Sequence, residues 1–154
     1  MKGKHLVWPL LLVVGVACSA QAVRWRDRSR GSRGLYLVEA RTRAAIQAGR
    51  ASRRLFSDNL TELELARRRA PAEIGVPIAR GTQYLLLGSF DSAIDAYQEA
   101  LRQEPRPEVY LNLGRAQFAA GRREQAAASF AKAVRLDPRL ADAVPKPALT
   151  PPAR

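Results

Sequence analysis

The sequence is poor in the side chains that most catalytic and metal sites use. Its 154 residues include one cysteine, Cys18, and one histidine, His5. A single cysteine forms no intramolecular disulfide, and a zinc or redox site needs several such ligands. The sequence also lacks a glycine-rich phosphate loop and any pair of histidines at metal-ligand spacing. We therefore expect a non-enzymatic protein without a metal or another cofactor.

The formal net charge of +12 is concentrated in one part of the chain. Residues 24–54 hold ten arginines against two acidic residues, a net charge of +8, whereas residues 74–138 carry only +1. The first five of these arginines form what we term the Arg-rich arm: Arg24, Arg26, Arg28, Arg30 and Arg33. A basic block beside an apolar segment favours contact with an anionic membrane surface. The alternative interpretation of the Arg-rich arm, equally well supported, is a flexible spacer. Nucleic-acid binding is less favoured, because only Trp25 and Tyr36 offer stacking surfaces nearby.

The N-terminus has the order of a signal peptide. Two lysines are followed by a nearly unbroken apolar run over residues 6–17, and small side chains follow up to Ala22. Ala20 and Ala22 occupy the two positions at which signal peptidase accepts small residues, so cleavage after Ala22 is expected. Residues 1–22 are therefore predicted to be a signal peptide or a membrane anchor.

Two alternatives to a cleaved signal remain open. Cys18 is a candidate lipidation site, although Gly15 stands where lipoproteins usually have leucine. An uncleaved anchor over residues 6–23 would be short against the ~20 residues that span a bilayer. The Arg-rich arm follows this segment directly, and positive charge there opposes translocation across the membrane. The sequence therefore predicts targeting to a membrane but not the side of the membrane on which the repeats lie.

Two stretches of the chain match each other at one constant offset, the separation between Gly81 and Gly114. The first contains Gly81, Tyr84, Gly88, Ala93, Tyr97, Ala100 and Pro105; the second contains Gly114, Gln117, Gly121, Ala126, Phe130, Ala133 and Pro138. Self-similarity at this period indicates stacked pairs of helices. The small residues let helices approach closely, and the aromatic residues fill the space between them. Gly88 and Gly121 suit left-handed helix ends, and Asp91 is a candidate cap for the next helix.

These motifs, above all Tyr110-Leu-Asn-Leu-Gly114 with the residues that follow it, resemble the tetratricopeptide repeat (TPR) family. The resemblance implies an all-α fold, a short α-solenoid of helix hairpins behind the N-terminal signal or anchor segment. The sequence departs from the family pattern at four positions. Pro77 and Gln117 replace aromatic residues, and Arg80 and Arg123 replace apolar ones.

A third, degenerate repeat is predicted upstream. When Ala66 is aligned with Ala100, Leu63 falls on Tyr97 and Pro71 falls on Pro105. The preceding helix, predicted over residues 38–57, would then use a face of small residues: Leu37, Ala40, Ala44, Ala45 and Ala48. The alternative is a single amphipathic capping helix. The predicted organisation is a signal or anchor (1–22), a basic linker (23–37), a degenerate repeat or capping helices (38–73), two repeats (74–106 and 107–140) and a Pro-rich disordered tail (141–154).

The resemblance also implies a concave groove formed by the first helix of each repeat, which in this family binds peptides or partner helices. Carried over residue by residue, the partner groove comprises Ile78, Thr82, Leu85, Leu111, Asn112, Arg115 and Phe118. A chaperone-type carboxylate clamp is not expected, because only Asn112 fits that pattern. Four prolines after Val144 argue against a complete final capping helix. The last repeat is therefore expected to be partly uncovered, which suggests a partner or a second copy at that end.

The function expected from the sequence is a protein–protein interaction module, an adaptor or scaffold of a bacterial cell envelope. It would be periplasmic after signal cleavage or anchored in the inner membrane. Two alternatives are a self-associating structural subunit and a lipid- or nucleic-acid-binding protein that uses the Arg-rich arm.

Overall fold

The computed structural model describes residues 32–145. Cys18, the predicted signal or anchor segment, Arg24, Arg26, Arg28 and Arg30 lie outside the described residues. Within this range the chain forms six α-helices and one 3-10 helix: α1 over residues 32–47, α2 Arg53–Arg69, α3 Gly75–Leu87, α4 Phe90–Gln103, α5 Pro107–Ala119, α6 Arg123–Leu136 and the 3-10 helix Pro138–Ala143. No β-strand occurs between residues 32 and 145. The prediction of an all-α fold is therefore confirmed.

From α2 onward, each helix packs mainly against the helices next to it in sequence, which is the connectivity of a solenoid. The main core lies between α3, α4 and α5, where Tyr97 and its neighbours are fully buried. Phe130 has the corresponding place in a second core between α5 and α6. Successive helix pairs are thus joined by shared apolar layers, with one large aromatic side chain at the centre of each.

The turns within the helix pairs use glycine as the sequence predicted. Gly88, with φ of 79°, ends α3, and Gly121, with φ of 77°, follows α5. Both values are left-handed, a conformation that glycine adopts without steric cost. The expected cap at Asp91 is wrong, because Ser89 is the N-cap residue of α4 and its side chain makes no capping hydrogen bond. Asp91 instead accepts a hydrogen bond of 2.6 Å from Arg122 Nη2, which links the turns of the two pairs.

Two of the departures from the family pattern have polar partners. Gln117 is buried in place of an aromatic residue, and its Oε1 accepts a hydrogen bond of 2.7 Å from Ser129 Oγ. Arg80, half-buried in place of a leucine, forms an ion pair of 3.0 Å with Glu99 on α4. Because a buried polar group without a partner is costly, these contacts explain how the helix pairs tolerate both residues.

Helix α1 packs with a face that the sequence did not predict. Leu37, Ala40, Ala44 and Ala48 are exposed, whereas Val38 and Thr42 are buried. Val38 shares a small core with Leu63 on α2 and Ala79 on α3. Helix α1 also already includes residues 32–37, which were expected to be linker. A helix whose buried side chains recur four residues apart presents only one face to its neighbours, so the small residues on the other side face solvent.

The C-terminal part of the described chain covers the last repeat. Residues 141–145 were expected to belong to a disordered tail, but the 3-10 helix runs to Ala143 and packs against α5 and α6. Val144 is buried, with 5% exposure, in the core that contains Leu111 and Phe130. The prolines that prevent a longer helix therefore still allow one short helical segment to close the apolar layer. None of the helices in residues 32–145 is long and apolar enough to cross a membrane.

Candidate partner groove

A cavity of about 400 Å³ lies between α1 and α3. Its walls combine apolar, polar and charged side chains, among them Glu39, Arg43, Ile46, Ile78 and Thr82. Ile46 is 51% exposed, an unusual exposure for so large an apolar side chain. The cavity thus offers an apolar contact surface with a carboxylate and a guanidinium beside it.

A buried polar network fixes the two helices that form this cavity. Asn59 on α2 donates hydrogen bonds to Thr42 on α1 (3.0 Å) and to Gln83 on α3 (3.1 Å). Gln83 Nε2 in turn donates to Thr42 Oγ1 at 3.1 Å. The described residues contain no buried side-chain nitrogen or oxygen without a hydrogen-bond partner. Such a network positions α1 against α3 through direction-dependent bonds, which apolar packing alone does not provide.

Thr82 connects the cavity to the core. Its Oγ1 donates to the Ile78 carbonyl oxygen at 3.2 Å and lies 3.3 Å from the Tyr97 hydroxyl. Burial raises the pKa of the Tyr97 phenol above its usual value of 10.0, so this group stays neutral at physiological pH. Thr82, in the wall of the groove, is therefore positioned by its contact with Tyr97, the central aromatic residue of the core.

Of the seven groove residues predicted from the sequence, Ile78 and Thr82 line the cavity. Leu85, on the same helix, is half-buried and packs against the main core. Phe118 is likewise half-buried and packs against the second core. These two side chains have a packing role in addition to any contact with a partner.

The remaining three groove residues, Leu111, Asn112 and Arg115, lie on α5, where the chain's own C-terminal segment contacts Leu111 and Arg115. Leu111 is buried with Val144 in the second core. Arg115 donates one hydrogen bond to Asn112 Oδ1 (3.2 Å) and another to the carbonyl oxygen of Ala143 (3.0 Å). Residues 138–144 thus occupy the part of the α5 surface that the sequence assigned to a partner.

The α1 side of the groove was missed by the sequence reasoning. Val38 and Leu63, which share one core, are farther apart in sequence than the close pairs Gly81–Tyr97 and Gly114–Phe130. The first hairpin is therefore longer than the other two. Aligning Ala66 with Ala100 predicts the end of α2 but assigns residues 38–57 to the preceding helix, whereas α1 ends at residue 47 and α2 begins at Arg53. The alignment therefore did not identify Glu39, Arg43 and Ile46 as groove residues.

Among residues 32–145, no group of three or more His, Cys, Asp or Glu side chains is placed to hold a metal ion. A second cavity, of about 570 Å³, lies between the α3–α4 and α5–α6 turns and is bordered by the Asp91–Arg122 ion pair. Its walls are formed by the two turns and the helix ends beside them, rather than by the faces of two packed helices.

Helix hairpins stacked in chain order, with a groove along one side, define a helical repeat protein. A family model described as Tetratricopeptide repeat matches residues 78–141. The chain is also similar to the crystal structure of a thermophilic TPR protein from Thermus thermophilus, with 28% sequence identity and a TM-score of 0.65. That match covers 88% of this chain and 71% of the other. A comparison with curated proteins gives no match.

The predicted resemblance to the TPR family is therefore confirmed, with residues 78–141 matching the family model. The TPR fold generally mediates protein–protein interaction, and proteins that contain it are generally non-catalytic.

Proposed function

We propose that this protein is a TPR adaptor that binds a peptide or a partner helix in the groove between α1 and α3. The observation that supports this most directly is the contrast between the two ends of the groove. The cavity beside Ile46 and Ile78 is open, whereas Leu111 and Arg115 are engaged by residues 138–144. The partner site is accordingly assigned to the N-terminal half of the solenoid.

The side chains of the cavity suggest the chemistry of the ligand. Ile46 and Ile78 offer an apolar surface on which one or two aliphatic or aromatic side chains would be buried, at about 25 cal/mol per Å². Arg43 would pair with a carboxylate of the ligand, and Glu39 would disfavour a second carboxylate next to it. The proposed ligand is therefore an extended or helical segment with an apolar anchor and a nearby acidic residue.

The location is proposed from the sequence. The order of lysines, apolar run and small residues before Ala22 supports a cell-envelope protein, either periplasmic after cleavage or anchored in the inner membrane. The same region supports contact between the Arg-rich arm and an anionic membrane surface.

Site-specific photo-crosslinking tests the groove proposal. A photoreactive phenylalanine analogue would replace Ile46 in the full-length chain, and as a matched control it would replace Ala128, an exposed residue of α6. We expect one discrete adduct from position 46 and none from position 128 in cells that produce the protein. The adduct should disappear when Arg43→Glu is added, because the proposed ion pair is lost. Equal labelling from both positions would contradict the proposal.

A self-associating structural subunit is the second candidate. It is supported by Leu136, the last residue of α6, which is 52% exposed, and by the exposed Ala127 on the same helix. Residues 138–144 reduce, but do not abolish, the apolar surface at that end. This candidate would be supported over the adaptor if the mass of the full-length protein rises with concentration while the Leu136→Glu variant stays monomeric.

A further inference from the structure

The start of α1 and the end of α2 lie side by side. A Cβ atom added to Gly34 would be 3.8 Å from Ala66 Cβ, and Ser32 Oγ donates to Glu73 Oε2 at 3.4 Å. This brings Arg33 to the same end of the hairpin as the last three residues of α2. We term this group the basic end of the hairpin: Arg33, Arg67, Arg68 and Arg69.

The basic end has more positive than negative charge. Arg67 and Arg68 share one carboxylate, Glu64, at 2.8 and 3.3 Å, and their side chains remain 45% and 73% exposed. Arg33 and Arg69 are exposed as well. Residues 32–73 include nine arginines and five acidic residues, whereas residues 74–145 include nine basic and eight acidic residues. The excess positive charge of the described chain is therefore located on the first hairpin.

Exposed apolar side chains occur at the same end. Tyr36 and Leu37, in the first turns of α1, are 69% and 50% exposed, and Leu65 on α2 is 42% exposed. Arginines beside exposed aromatic and aliphatic side chains are typical of surfaces that lie at the boundary of headgroups and acyl chains. Nucleic-acid binding without base readout relies on several stacking surfaces, and within residues 32–73 Tyr36 is the one aromatic residue at this end.

The position of this surface along the chain adds a second argument. The residues that precede Arg33 in sequence are the other four arginines of the Arg-rich arm, and the apolar run precedes them. Basic residues close to a membrane-targeted segment are those most strongly attracted by anionic lipids, because the surface potential decays within about 8 Å at physiological salt.

We propose that the basic end of the hairpin, together with Tyr36 and Leu37, docks on the headgroups of an anionic phospholipid bilayer. The arginines pair with lipid phosphates while Tyr36 and Leu37 enter the interface. This extends the proposed membrane contact of the Arg-rich arm to the folded repeat domain. Lipid docking does not require peptide binding in the groove, so an experiment that contradicts one of the two proposals leaves the other unaffected.

The test uses the full-length chain with Cys18→Ser, which removes the only native cysteine. Leu37→Cys then carries an environment-sensitive fluorophore at the basic end, and in a second protein Ala51→Cys carries it at the opposite end of the hairpin. Each is titrated with vesicles of phosphatidylcholine alone or mixed with phosphatidylglycerol. A blue shift at position 37 on the anionic vesicles only, with no shift at position 51, is the expected result.

A matched pair of triple variants distinguishes the effect of the basic end on lipid affinity from the effect of the total charge of the protein. Arg67→Gln, Arg68→Gln and Arg69→Gln should weaken the apparent lipid affinity reported at position 37 by at least about tenfold. Arg50→Gln, Arg53→Gln and Arg54→Gln remove the same charge from the other end and should change it less than about twofold. Glutamine is a good helix former, and circular dichroism checks that both variants are folded.

Three results would overturn the inference. They are an equal shift on neutral and anionic vesicles, equal weakening by the two triple variants, and a shift at position 37 produced by duplex DNA at the same phosphate concentration. The last result would assign the cluster to nucleic acid.

Discussion

Tyr97 packs its ring against the backbone of Gly81 so closely that a methyl group on Gly81 would lie 2.6 Å from Tyr97 Cε1. Phe130 and Gly114 have the same relationship, also at 2.6 Å, in the following repeat. Both rings are buried and have little room to move. The distance between the two helices of each repeat is therefore set by a ring that fills the space left by a missing side chain.

Gly81→Ala is expected to destabilise the protein by about 1–3 kcal/mol, because the added methyl overpacks a buried ring. This exceeds the gain of about 0.5–1 kcal/mol that alanine brings to a helix interior. Gly75→Ala is the matched control, since its new methyl would meet the flexible end of the Leu35 side chain rather than a buried ring. Urea denaturation measures the free energy of unfolding of both variants. Equal stability of Gly81→Ala and the wild type would show that the ring is not tightly held.

Asn59→Ala should destabilise the protein by about 2–3 kcal/mol, because it leaves Gln83 Oε1 without its donor in a buried position. Asn112→Ala removes an amide oxygen that accepts a hydrogen bond from the half-buried Arg115 and should cost less than about 1 kcal/mol. Urea denaturation compares the two. A double-mutant cycle with Gln83→Ala should show coupling, and strict additivity would contradict a shared network.

Val144→Asp should destabilise the last repeat by about 2–4 kcal/mol, since it places a charge among Leu111 and Phe130. Ala141→Asp introduces the same side chain at an exposed position of the preceding turn and should change stability by less than about 0.5 kcal/mol. Chemical denaturation and hydrogen exchange of α6 report the difference. If both variants behave alike, residues 138–144 do not cover the repeat in solution.

Glu64 gives a pH-dependent contribution to stability. Hydrogen bonds from Arg67 lower its pKa from 4.5 to about 2. A depressed pKa in the folded state favours the ionised form, so the contribution is present above pH 4.5 and is lost as the pH falls towards 2. Because both side chains are partly exposed, the pair contributes only about 0.2–1 kcal/mol.

Glu64→Gln should accordingly be less stable than the wild type at pH 7 and equally stable near pH 2, as measured by urea denaturation. Glu62→Gln removes an exposed carboxylate from the same helix and serves as the control. A stability difference for Glu64→Gln that is the same at both pH values would contradict the assigned cause.

The two complete repeats were predictable because each joins its helices through one short turn that contains a left-handed glycine. Such turns keep Gly81 and Tyr97, and Gly114 and Phe130, at the same sequence separation, so one offset describes both repeats. The position of α1 was not predictable in this way. Its hairpin has a longer connection, and its contact with α3 depends on the hydrogen bonds of Thr42, Asn59 and Gln83, which have no counterpart in the repeat pattern.

The C-terminal cover was missed for a different reason. Prolines after Val144 indicate where a helix stops but not that a short segment before them packs against the last repeat. The Ala143 carbonyl is the acceptor for Arg115, a contact between residues 28 positions apart that no local pattern predicts. Consequently the sequence identified α3 and α5 as groove helices, but it identified neither α1 nor the end of the groove that is open.

Binding of a peptide segment in the open groove between α1 and α3 is the central claim, and peptide selection tests it most directly. Peptides selected from a random library on the full-length protein would be measured calorimetrically against two variants. Arg43→Glu with Ile46→Asp alters the groove, and Arg123→Glu with Ala128→Asp makes similar changes on exposed positions of α6. We expect peptides with an apolar anchor and an acidic residue, bound at least about tenfold more weakly by the groove variant only. Peptides that bind all three proteins equally would contradict the claim.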